Sequence, residues 1–320
     1  MMRDRFGREI NYLRVSLTDR CNLRCEYCMP EDGIKNKIPH CDMLSLEELY
    51  KITEMFVKVG IDKIRFTGGE PLVRYGAVDL IKKVKALQGV KEVTLTTNGI
   101  LLEDKLQELV DAGVKRLNIS LDTLDPEKYK QITRGGDINK VLNGIEKAKK
   151  LGINPIKINT VLIGGFNDGE IPEFVELTRN GGIDVRFIEL MPIGEASGFA
   201  KSKFISNEEI LKRVPELEAI EREDPSSPAT YYRLPDGKGK VGLINPISCK
   251  FCTNCNRVRL TATGKLKLCL HSNREIDLRK ILREGGDLEK IIRESILTKE
   301  EEHHLENEEY ITRNMNQIGG

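Results

Sequence analysis

The sequence predicts an α/β protein built as a partial (β/α)6 barrel of the TIM type, followed by a C-terminal extension. Between residues 11 and 214, six short segments with apolar residues at every second position alternate with six longer segments of helical apolar spacing. This alternation is typical of parallel strands joined by crossover helices, and a closed barrel would need eight such units. Because the pattern stops there, we expect a barrel domain over residues 1–214 and a second region over 215–320.

The composition is consistent with this division. A chain of 320 residues is long enough for about two domains, since domains average roughly 150 residues. Its 39% apolar residues exclude wholesale disorder, and the net charge of +1 argues against general binding to nucleic acid or membrane surfaces. No apolar run approaches the ~18 residues of a membrane-spanning helix, and the N-terminus is charged where a signal peptide would be apolar. We therefore expect a cytoplasmic protein.

Each of the six units has a strand segment and a helix segment. The strands are predicted at residues 12–18, 63–68, 92–98, 116–122, 155–163 and 184–191. The helices are predicted at residues 45–59, 77–87, 103–112, 139–150, 170–179 and 207–214. Ser45 followed by Glu48 is typical of a capping box and marks the start of the first helix.

Five of the strands combine one apolar face with one polar face. Leu13 and Val15 point to one side of the first strand and Arg14 to the other, while Arg65 and Lys157 lie on the polar faces of later strands. Strands covered on both sides are usually apolar throughout, so the polar faces indicate a wet cavity inside the barrel. An antiparallel sheet with one face in solvent is the alternative, but the helical segments between the strands fit crossovers better.

The region after residue 214 has a different texture. Residues 215–248 are rich in proline, glycine and charge, which is typical of loops and short strands. Residues 257–270 predict a hairpin that turns at Thr263 and Gly264. A charged helical stretch is predicted over residues 277–308, where it would cover the rest of the domain.

Three thiols follow the first strand as Cys21-x3-Cys25-x2-Cys28, at the end where α/β sheets place their binding sites. In a reducing compartment, clustered cysteines more often bind metal than form disulfides. Structural zinc takes four protein ligands, so three thiolates would leave one position open to a small molecule. A zinc site that borrows Cys41 or His40 is the alternative.

A glycine pair, Gly68 and Gly69, ends the second strand and is followed by Glu70 and Pro71. Paired glycines allow a ligand to approach the backbone closely, and the carboxylate can accept a hydrogen bond from an ammonium group. The three thiols after the first strand, together with this motif after the second, resemble the radical S-adenosylmethionine superfamily.

That resemblance implies a cofactor and a chemistry. Cys21, Cys25 and Cys28 would bind a 4Fe–4S cluster whose open iron takes S-adenosylmethionine. An electron from the cluster would cleave the sulfonium and release a 5′-deoxyadenosyl radical, which abstracts a hydrogen atom from the substrate. The superfamily fold is a partial (β/α)6 barrel, in agreement with the six units counted above.

A second group of thiols, Cys249-x2-Cys252-x2-Cys255-x13-Cys269, has spacing that also suits a four-thiolate zinc ribbon. In its context, with Asn-Arg-Val-Arg-Leu after the third cysteine, it closely resembles the C-terminal signature of the GTP 3′,8-cyclase family. The resemblance implies that Cys252, Cys255 and Cys269 bind a second 4Fe–4S cluster and leave one iron to the substrate guanine. Cys249 is extra in this pattern and could close the cluster as a fourth ligand; Cys41 is extra as well.

The same resemblance implies the remaining site residues. The chain ends in Gly319 and Gly320, which resemble the family's glycine tail that reaches toward the active site. The expected contacts of S-adenosylmethionine are Tyr27, Gly69, Ser120 and Met191. The expected contacts of GTP are Arg14, Arg65, Thr96, Lys157, Arg257, Val258 and Arg259. Within this set, the residues expected to be catalytic are Arg14, Arg257 and Arg259.

Strand parity supports part of this set from the residues alone. Thr96 and Lys157 fall on polar faces, and Met191 shares its parity with Glu189 on the sixth strand. Arginine is well suited to phosphate because its hydrogen bonds are charge-assisted and often bidentate. Buried cations are costly unless they are paired or wetted, and we expect Asp122 and Glu189 to pair some of them.

The resemblance also implies the reaction and its partners. The radical would take the ribose 3′ hydrogen of GTP, the resulting carbon radical would attack C8 of guanine, and reduction would then give 3′,8-cyclo-7,8-dihydro-GTP. A flavodoxin or ferredoxin would supply electrons, and a cyclic pyranopterin monophosphate synthase would use the product. We expect a monomer or homodimer that binds neither nucleic acid nor membrane.

Two other functions fit parts of the sequence. A radical S-adenosylmethionine peptide maturase would also carry C-terminal clusters, although Asn256, Arg257, Arg259 and the terminal glycines argue against it. A zinc-ribbon protein that binds nucleic acid would need a basic surface rich in aromatic residues, whereas aromatic residues make up 5% of this chain and tryptophan is absent.

Overall fold

The structure, a computed structural model, describes residues 2–33, 38–194, 197–305 and 310–319. Within these residues the strands are β1 (Tyr12–Ser16), β2 (Lys63–Thr67), β3 (Glu92–Thr97), β4 (Leu117–Ser120), β5 (Ile156–Leu162), β6 (Ile183–Glu189), β7 (Glu218–Ile220), β8 (Ala229–Arg233), β9 (Val241–Ile244), β10 (Arg257–Leu260), β11 (Lys265–Lys267) and β12 (Ile276–Asp277). All six strands predicted for the barrel are confirmed, and each is one to three residues shorter than expected.

The helices of the described part are α1 (Leu46–Lys58), α2 (Ala77–Lys85), α3 (Leu102–Asp111), α4 (Pro126–Ile132), α5 (Ile138–Lys150), α6 (Ile171–Glu176), α7 (Ser197–Lys203), α8 (Glu208–Arg213), α9 (Leu278–Arg283), α10 (Leu288–Leu297) and α11 (Met315–Ile318). The predicted capping box at Ser45 and Glu48 is confirmed. The sequence analysis missed α4, whose start is marked by Pro126 at its first position and by the Asp125 side chain, which accepts a hydrogen bond from the Lys128 backbone. None of these helices has the length and apolarity that crossing a membrane requires.

All strands belong to one open sheet in the order β12-β11-β10-β1-β2-β3-β4-β5-β6-β9-β8-β7. Strands β1 to β6 are parallel, which confirms the partial (β/α)6 barrel and excludes the antiparallel alternative. The region after residue 214 extends this sheet at both edges, because β10 pairs in parallel with β1 and β9 pairs in parallel with β6. The division into two domains at residue 214 stays a prediction.

The two faces of the barrel strands differ as their alternation predicts. Leu13 and Val15 are fully buried in the apolar core beneath the helices. On the opposite face, Arg14 of β1 stands in register with Arg259 of β10 on one side and with Arg65 of β2 on the other. Strand pairing therefore brings three guanidinium groups from distant parts of the chain into one row.

The C-terminal predictions are confirmed in part. Strands β10 and β11 form the predicted hairpin around Thr263 and Gly264. The long helix predicted for residues 277–308 is instead α9 and α10, residues 298–305 form no α-helix, and residues 306–308 lie outside the described residues. There the carbonyl groups of Glu300 and Glu301 accept hydrogen bonds from Arg8, so side-chain contacts replace a continued helix.

Candidate active site

A cavity of about 530 Å³ opens at the polar face of the barrel and is lined by both cysteine triplets. Strands β1 to β6 supply its floor, and the hairpin that starts with β10 supplies the wall next to Arg14. The two metal-binding motifs, more than 220 positions apart in sequence, therefore face the same enclosed space. This is the arrangement that two cofactors acting on one substrate require.

The first triplet lies in the loop after β1. Burial raises the pKa of Cys25 and raises the pKa of Cys28 to about 12, and the neighbouring thiols add to both shifts. The carboxyl group of Glu70 also raises the pKa of Cys21. That of Asp122 also raises the pKa values of Cys25 and Cys28. The three cysteines are half-buried and form no disulfide. A bound metal group would hold their thiols as thiolates despite the raised pKa values.

Two glycines at the end of β2 hold this loop against the barrel. A Cβ atom on Gly68 would lie 2.5 Å from the Thr18 carbonyl oxygen, and one on Gly69 would lie 2.3 Å from the Arg20 carbonyl oxygen. The Gly69 backbone N–H donates to the Thr18 carbonyl at 2.7 Å. Glycine is therefore required here by the close approach of two backbones, which fixes where the thiol loop starts.

The carboxylate of Glu70, considered above as an acceptor for an ammonium group, is engaged by neighbouring residues of the protein. It accepts hydrogen bonds from the backbone N–H groups of Leu72 and Asn98 and from the hydroxyl of Thr97. Burial nevertheless raises the pKa of Glu70 to about 7. The Asn98 side chain in turn donates to the Cys21 sulfur at 3.6 Å, so this carboxyl group connects the ends of β2 and β3 to the thiol loop.

The four residues expected to contact S-adenosylmethionine all line the cavity: Tyr27, Gly69, Ser120 and Met191. The Tyr27 hydroxyl donates to Asp122 at 2.6 Å, and burial raises the pKa of both groups, that of Asp122 to about 6. Asp122 also accepts from the Val161 backbone. It therefore positions the Tyr27 ring and does not pair a cation as expected.

Cys252, Cys255 and Cys269 form the second triplet on the opposite wall. Burial alone would raise the pKa of Cys255, but the charges of Arg257, Lys299 and Arg8 bring it down to about 7. Cys249 is exposed and lies outside the cavity lining, so a four-thiolate zinc ribbon is not formed.

Cys41 also lies apart from the triplets. It is exposed, and its carbonyl accepts a hydrogen bond from Arg283. The alternative zinc site that borrows Cys41 is therefore not assembled. Within the described ranges, no three His, Cys, Asp or Glu side chains converge closely enough to hold one metal ion; the thiolates of a 4Fe–4S cluster bind separate irons and need not converge on one point.

Cations dominate the floor between the triplets. Within the described residues, the Nε atoms of Arg14, Arg65, Arg186 and Arg257 are buried without a hydrogen-bond partner. Burial, and then the neighbouring Arg259 and Arg65, hold the pKa of Arg14 well below its usual range. Burial lowers the pKa of Arg259 to about 10. Buried guanidinium nitrogens that lack a hydrogen-bond partner fit a polyanion that accepts from them.

One expectation about the sixth strand is wrong. Glu189 is fully buried on the apolar face, where it accepts hydrogen bonds from the backbones of Ile247 and Ser248. Among the described residues it pairs with no cavity cation, and Lys157 pairs with Asp184 at 3.4 Å. Met191 does line the cavity, but it lies after β6 has ended, so its agreement with strand parity was accidental.

The alternation of β6 carried a signal that the sequence analysis missed. Ile183, Val185 and Phe187 are buried in the core, which places Arg186 on the cavity face. Arg186 donates to the Tyr231 hydroxyl at 2.9 Å. It adds a further guanidinium group to the predicted set.

Most of the remaining expected residues line the cavity: Arg14, Arg65, Thr96, Lys157, Arg257 and Arg259. Val258 is the exception, because its side chain lies between two cavity-facing arginines and points to the core with Leu13. Any contact of Val258 with a substrate is therefore restricted to its backbone.

The C-terminal tail enters the same cavity. Met315 and Asn316 of α11 line it, and the Asn316 side chain donates to the Asp19 carbonyl at 2.9 Å. The Gly319 carbonyl accepts a hydrogen bond from Arg259. Gly319 adopts φ +77°, a conformation that favours glycine. Gly320 lies outside the described residues.

Comparison with known proteins gives two family matches that together span most of the chain. Residues 15–178 match the model of the Radical SAM superfamily, and residues 183–305 match the model of Molybdenum Cofactor Synthesis C. A GTP 3′,8-cyclase of Peptoclostridium acidaminophilum is 59% identical over 99% of this chain and 98% of the relative. One of Alkaliphilus oremlandii (strain OhILAs) is 54% identical over the full length of both chains.

Solved structures show the same fold at low sequence identity. Streptococcus suis SuiB bound to S-adenosylmethionine has a TM-score of 0.59 and 15% identity, covering 97% of this chain and 78% of that one. Methylornithine synthase (PylB) has a TM-score of 0.51 and 20% identity, covering 65% of this chain and 63% of that one.

Proposed function

Because this chain belongs to the GTP 3′,8-cyclase family of radical S-adenosylmethionine enzymes, we propose that its cavity holds GTP and S-adenosylmethionine between the two cysteine triplets. The enzyme cyclises GTP to (8S)-3′,8-cyclo-7,8-dihydroguanosine 5′-triphosphate, the first step of molybdenum cofactor biosynthesis. The full-length similarity gives no support to a peptide maturase or a zinc-ribbon protein that binds nucleic acid.

The observation that carries the proposed placement of GTP is the row of guanidinium groups across β10, β1 and β2. Arg259, Arg14 and Arg65 stand in register, and burial with mutual repulsion makes their positive charges costly. A triphosphate relieves that cost by accepting charge-assisted hydrogen bonds from several of them at once. The proposed contacts are Arg14, Arg65, Thr96, Lys157, Arg186, Arg257, the Val258 backbone and Arg259. Of these, Arg14, Arg257 and Arg259 are proposed to be catalytic.

The thiols fit two 4Fe–4S clusters, each with one iron left to a small molecule. Cys21, Cys25 and Cys28 would hold the first, and Cys252, Cys255 and Cys269 the second. When bound, the first cluster and S-adenosylmethionine supply the radical chemistry, while the chain supplies placement and excludes water.

We propose that four cavity residues position S-adenosylmethionine beside the first triplet: Tyr27, Gly69, Ser120 and Met191. The hydrogen bond from the Tyr27 hydroxyl to Asp122 fixes the position of the Tyr27 side chain in the cavity wall. Gly69 offers backbone without a side chain, and Ser120 ends β4 at the cavity rim. These residues would hold the cofactor beside the first triplet, in the cavity that the guanidinium row also lines.

The remaining proposals concern the surroundings of the enzyme. We propose a cytoplasmic location, an external electron donor of the flavodoxin or ferredoxin type, and a downstream cyclic pyranopterin monophosphate synthase. A monomer or homodimer is proposed, with residues 1–214 as the barrel domain and 215–320 as the region of the second cluster.

The placement of GTP is tested by replacing Arg14 with glutamine. Loss of a charge-assisted contact costs about 1.5–3 kcal/mol, so we expect GTP affinity to fall by roughly tenfold to a hundredfold. Anaerobic equilibrium dialysis with GTP and with guanosine provides the measurement. Guanosine lacks the triphosphate, and its affinity should change little.

Arg179→Gln is the matched control, because Arg179 is an exposed arginine that pairs with Glu176 outside the cavity. Equal losses for GTP and guanosine in the Arg14 variant would contradict the triphosphate contact. The reaction is checked under anaerobic conditions with S-adenosylmethionine, GTP and dithionite; failure of the parent enzyme to form both 5′-deoxyadenosine and a cyclised nucleotide would reject the function.

A further inference from the structure

Lys299 is a buried cation beside the second triplet that the proposed contacts do not use. It follows α10, its residue is only 2% exposed, and its Nζ donates to the carbonyl of Leu268, the residue before Cys269. Across the described parts of the chain, no carboxylate forms an ion pair with it. A buried ammonium group bound only to a neutral carbonyl needs a negative charge nearby.

The segment that carries Lys299 lies over the second triplet. The backbone N–H of His303 makes a hydrogen bond to the Cys252 thiol. Arg8 donates to the Cys252 carbonyl at 2.9 Å and to the Glu301 carbonyl at 2.6 Å, which joins this segment to the triplet. Asp4 pairs with Arg8 at 2.6 Å and balances its charge, so the charge of Lys299 is the unbalanced one of the two.

We propose that Lys299 is the counter-ion of the second cluster and that its charge raises the reduction potential of that cluster. The inference rests on the proposed function, since it requires a 4Fe–4S cluster on Cys252, Cys255 and Cys269. Three thiolates make the bound group anionic, and adding one electron without a proton makes it more negative by one charge. A fixed positive charge in a buried position stabilises the reduced form more than the oxidised form.

Lys267 provides a matched comparison. It is also buried, at 1% exposure, and its Nζ also donates to a backbone carbonyl, that of Ser272. Unlike Lys299, it pairs with a carboxylate, Glu275, at 3.6 Å. Glu275 also pairs with Arg313, at 2.7 Å. Removing the charge of Lys267 also removes a buried ammonium group, but one that the protein already pairs with a carboxylate.

The experiment uses full-length protein in which Cys21, Cys25 and Cys28 are replaced by alanine, so that the second cluster alone is present. Anaerobic potentiometric titration with dithionite and mediators, followed by electron paramagnetic resonance, measures its potential. In this background we expect Lys299→Met to lower the ratio of reduced to oxidised second cluster about tenfold at a fixed applied potential. For one electron this corresponds to a reduction potential lower by about 59 mV. Lys299→Arg keeps the charge, and both Lys299→Arg and Lys267→Met should shift the ratio less than about threefold.

Iron content and circular dichroism are measured on every variant. A folded Lys299→Met protein that retains its iron and titrates like the parent overturns the inference, as does an equal shift in Lys267→Met. The inference is supported if Lys299→Met loses iron while Lys299→Arg and Lys267→Met retain it. If both Lys299 variants lose iron, the cluster requires the shape of the lysine side chain, and the inference is contradicted. If the parent itself binds no second cluster, the proposed function fails instead.

Discussion

The two cysteine triplets line one cavity but differ in the charged groups that act on them: carboxyl groups at the first, and cations such as Arg257 and Lys299 at the second. Around the first triplet, burial together with the carboxyl groups of Glu70 and Asp122 disfavours further negative charge, and the pKa of Cys28 rises to about 12. At the second triplet burial also raises the pKa of Cys252, but at Cys255 the nearby cations outweigh burial and lower the pKa to about 7. The same three-thiol ligand set is therefore given two different environments.

The difference indicates how the chain divides the work between two similar groups. A metal group surrounded by carboxyl groups and apolar burial gives up an electron readily, which suits reductive cleavage of S-adenosylmethionine. A group surrounded by cations tolerates additional negative charge, which suits a site next to a triphosphate. With three thiols proposed as ligands at each site, the surroundings would be what distinguishes the two.

The largest effect is expected from removing one thiol of each triplet. Cys25→Ala and Cys255→Ala should each lose roughly half of the bound iron, because a cluster loses one of its three ligands. We expect Cys25→Ala to abolish formation of 5′-deoxyadenosine. Cys255→Ala should retain cleavage of S-adenosylmethionine and lose the cyclised nucleotide. Iron analysis and anaerobic product chromatography check both results.

Iron content separates this prediction from simple misfolding, since each variant should keep the cluster at the untouched triplet. The proposed difference between the triplets is contradicted if Cys255→Ala retains half of the iron but forms as little 5′-deoxyadenosine as Cys25→Ala. The two triplets would then not have separate tasks.

A smaller effect is expected from the carboxyl group that holds the first triplet in place. The folded protein binds the Glu70 proton up to a pH of about 7, whereas the unfolded chain releases it near 4.5. Protons are thus bound more tightly by the folded state, so stability falls as the pH rises from about 4.5 to about 7. The loss is about 3 kcal/mol. Glu70→Gln should remove this slope, which thermal unfolding under argon at pH 5 to 7.5 can measure.

Glu48→Gln is the control for that slope. The hydrogen bond from Arg283 holds the pKa of Glu48 below its usual range, so its titration is complete below this pH window. Its removal should leave the slope between pH 5 and 7.5 as it is in the parent. A slope in Glu70→Gln equal to that of the parent would show that Glu70 is not the group responsible.

The sequence predicted the features of the site that depend on local alternation. Arg14 and Arg65 lie on the cavity face because residues alternate along a strand, and the same rule would have found Arg186. The rule misled at Glu189, which was assigned the parity of Met191. Met191 lies beyond the end of β6, so it does not define the cavity face of that strand. Alternation is informative only within the strand, and the sequence does not mark its last residue sharply.

Contacts between distant segments left no such signal. Arg8 reaches Cys252 across 244 positions, and Lys299 reaches Leu268 from beyond α10. Neither side chain belongs to a motif, and both lie in segments whose composition resembles a solvated surface. The field around the second triplet, which distinguishes it from the first, therefore follows from tertiary packing and could be recognised only in the structure.

The smallest effect is expected from Cys249→Ser. The extra thiol could act as a fourth ligand by its spacing, but it is exposed and lies outside the cavity that the other three line. We expect the variant to keep the iron content of the parent and to form cyclised nucleotide at a rate within about twofold of the parent, as is usual for surface substitutions.

Cys255→Ser is the matched comparison, because it makes the same chemical change at a thiol that lines the cavity, and it should lose roughly half of the iron. The electron paramagnetic resonance spectrum of Cys249→Ser gives a further readout when GTP is added. With an iron left open, GTP changes the spectrum of the second cluster in the variant and the parent alike. A response to GTP that is present only after Cys249 is replaced would show that this thiol closes the cluster in the parent, and the second site would then differ from the first in ligand number as well as in its surroundings.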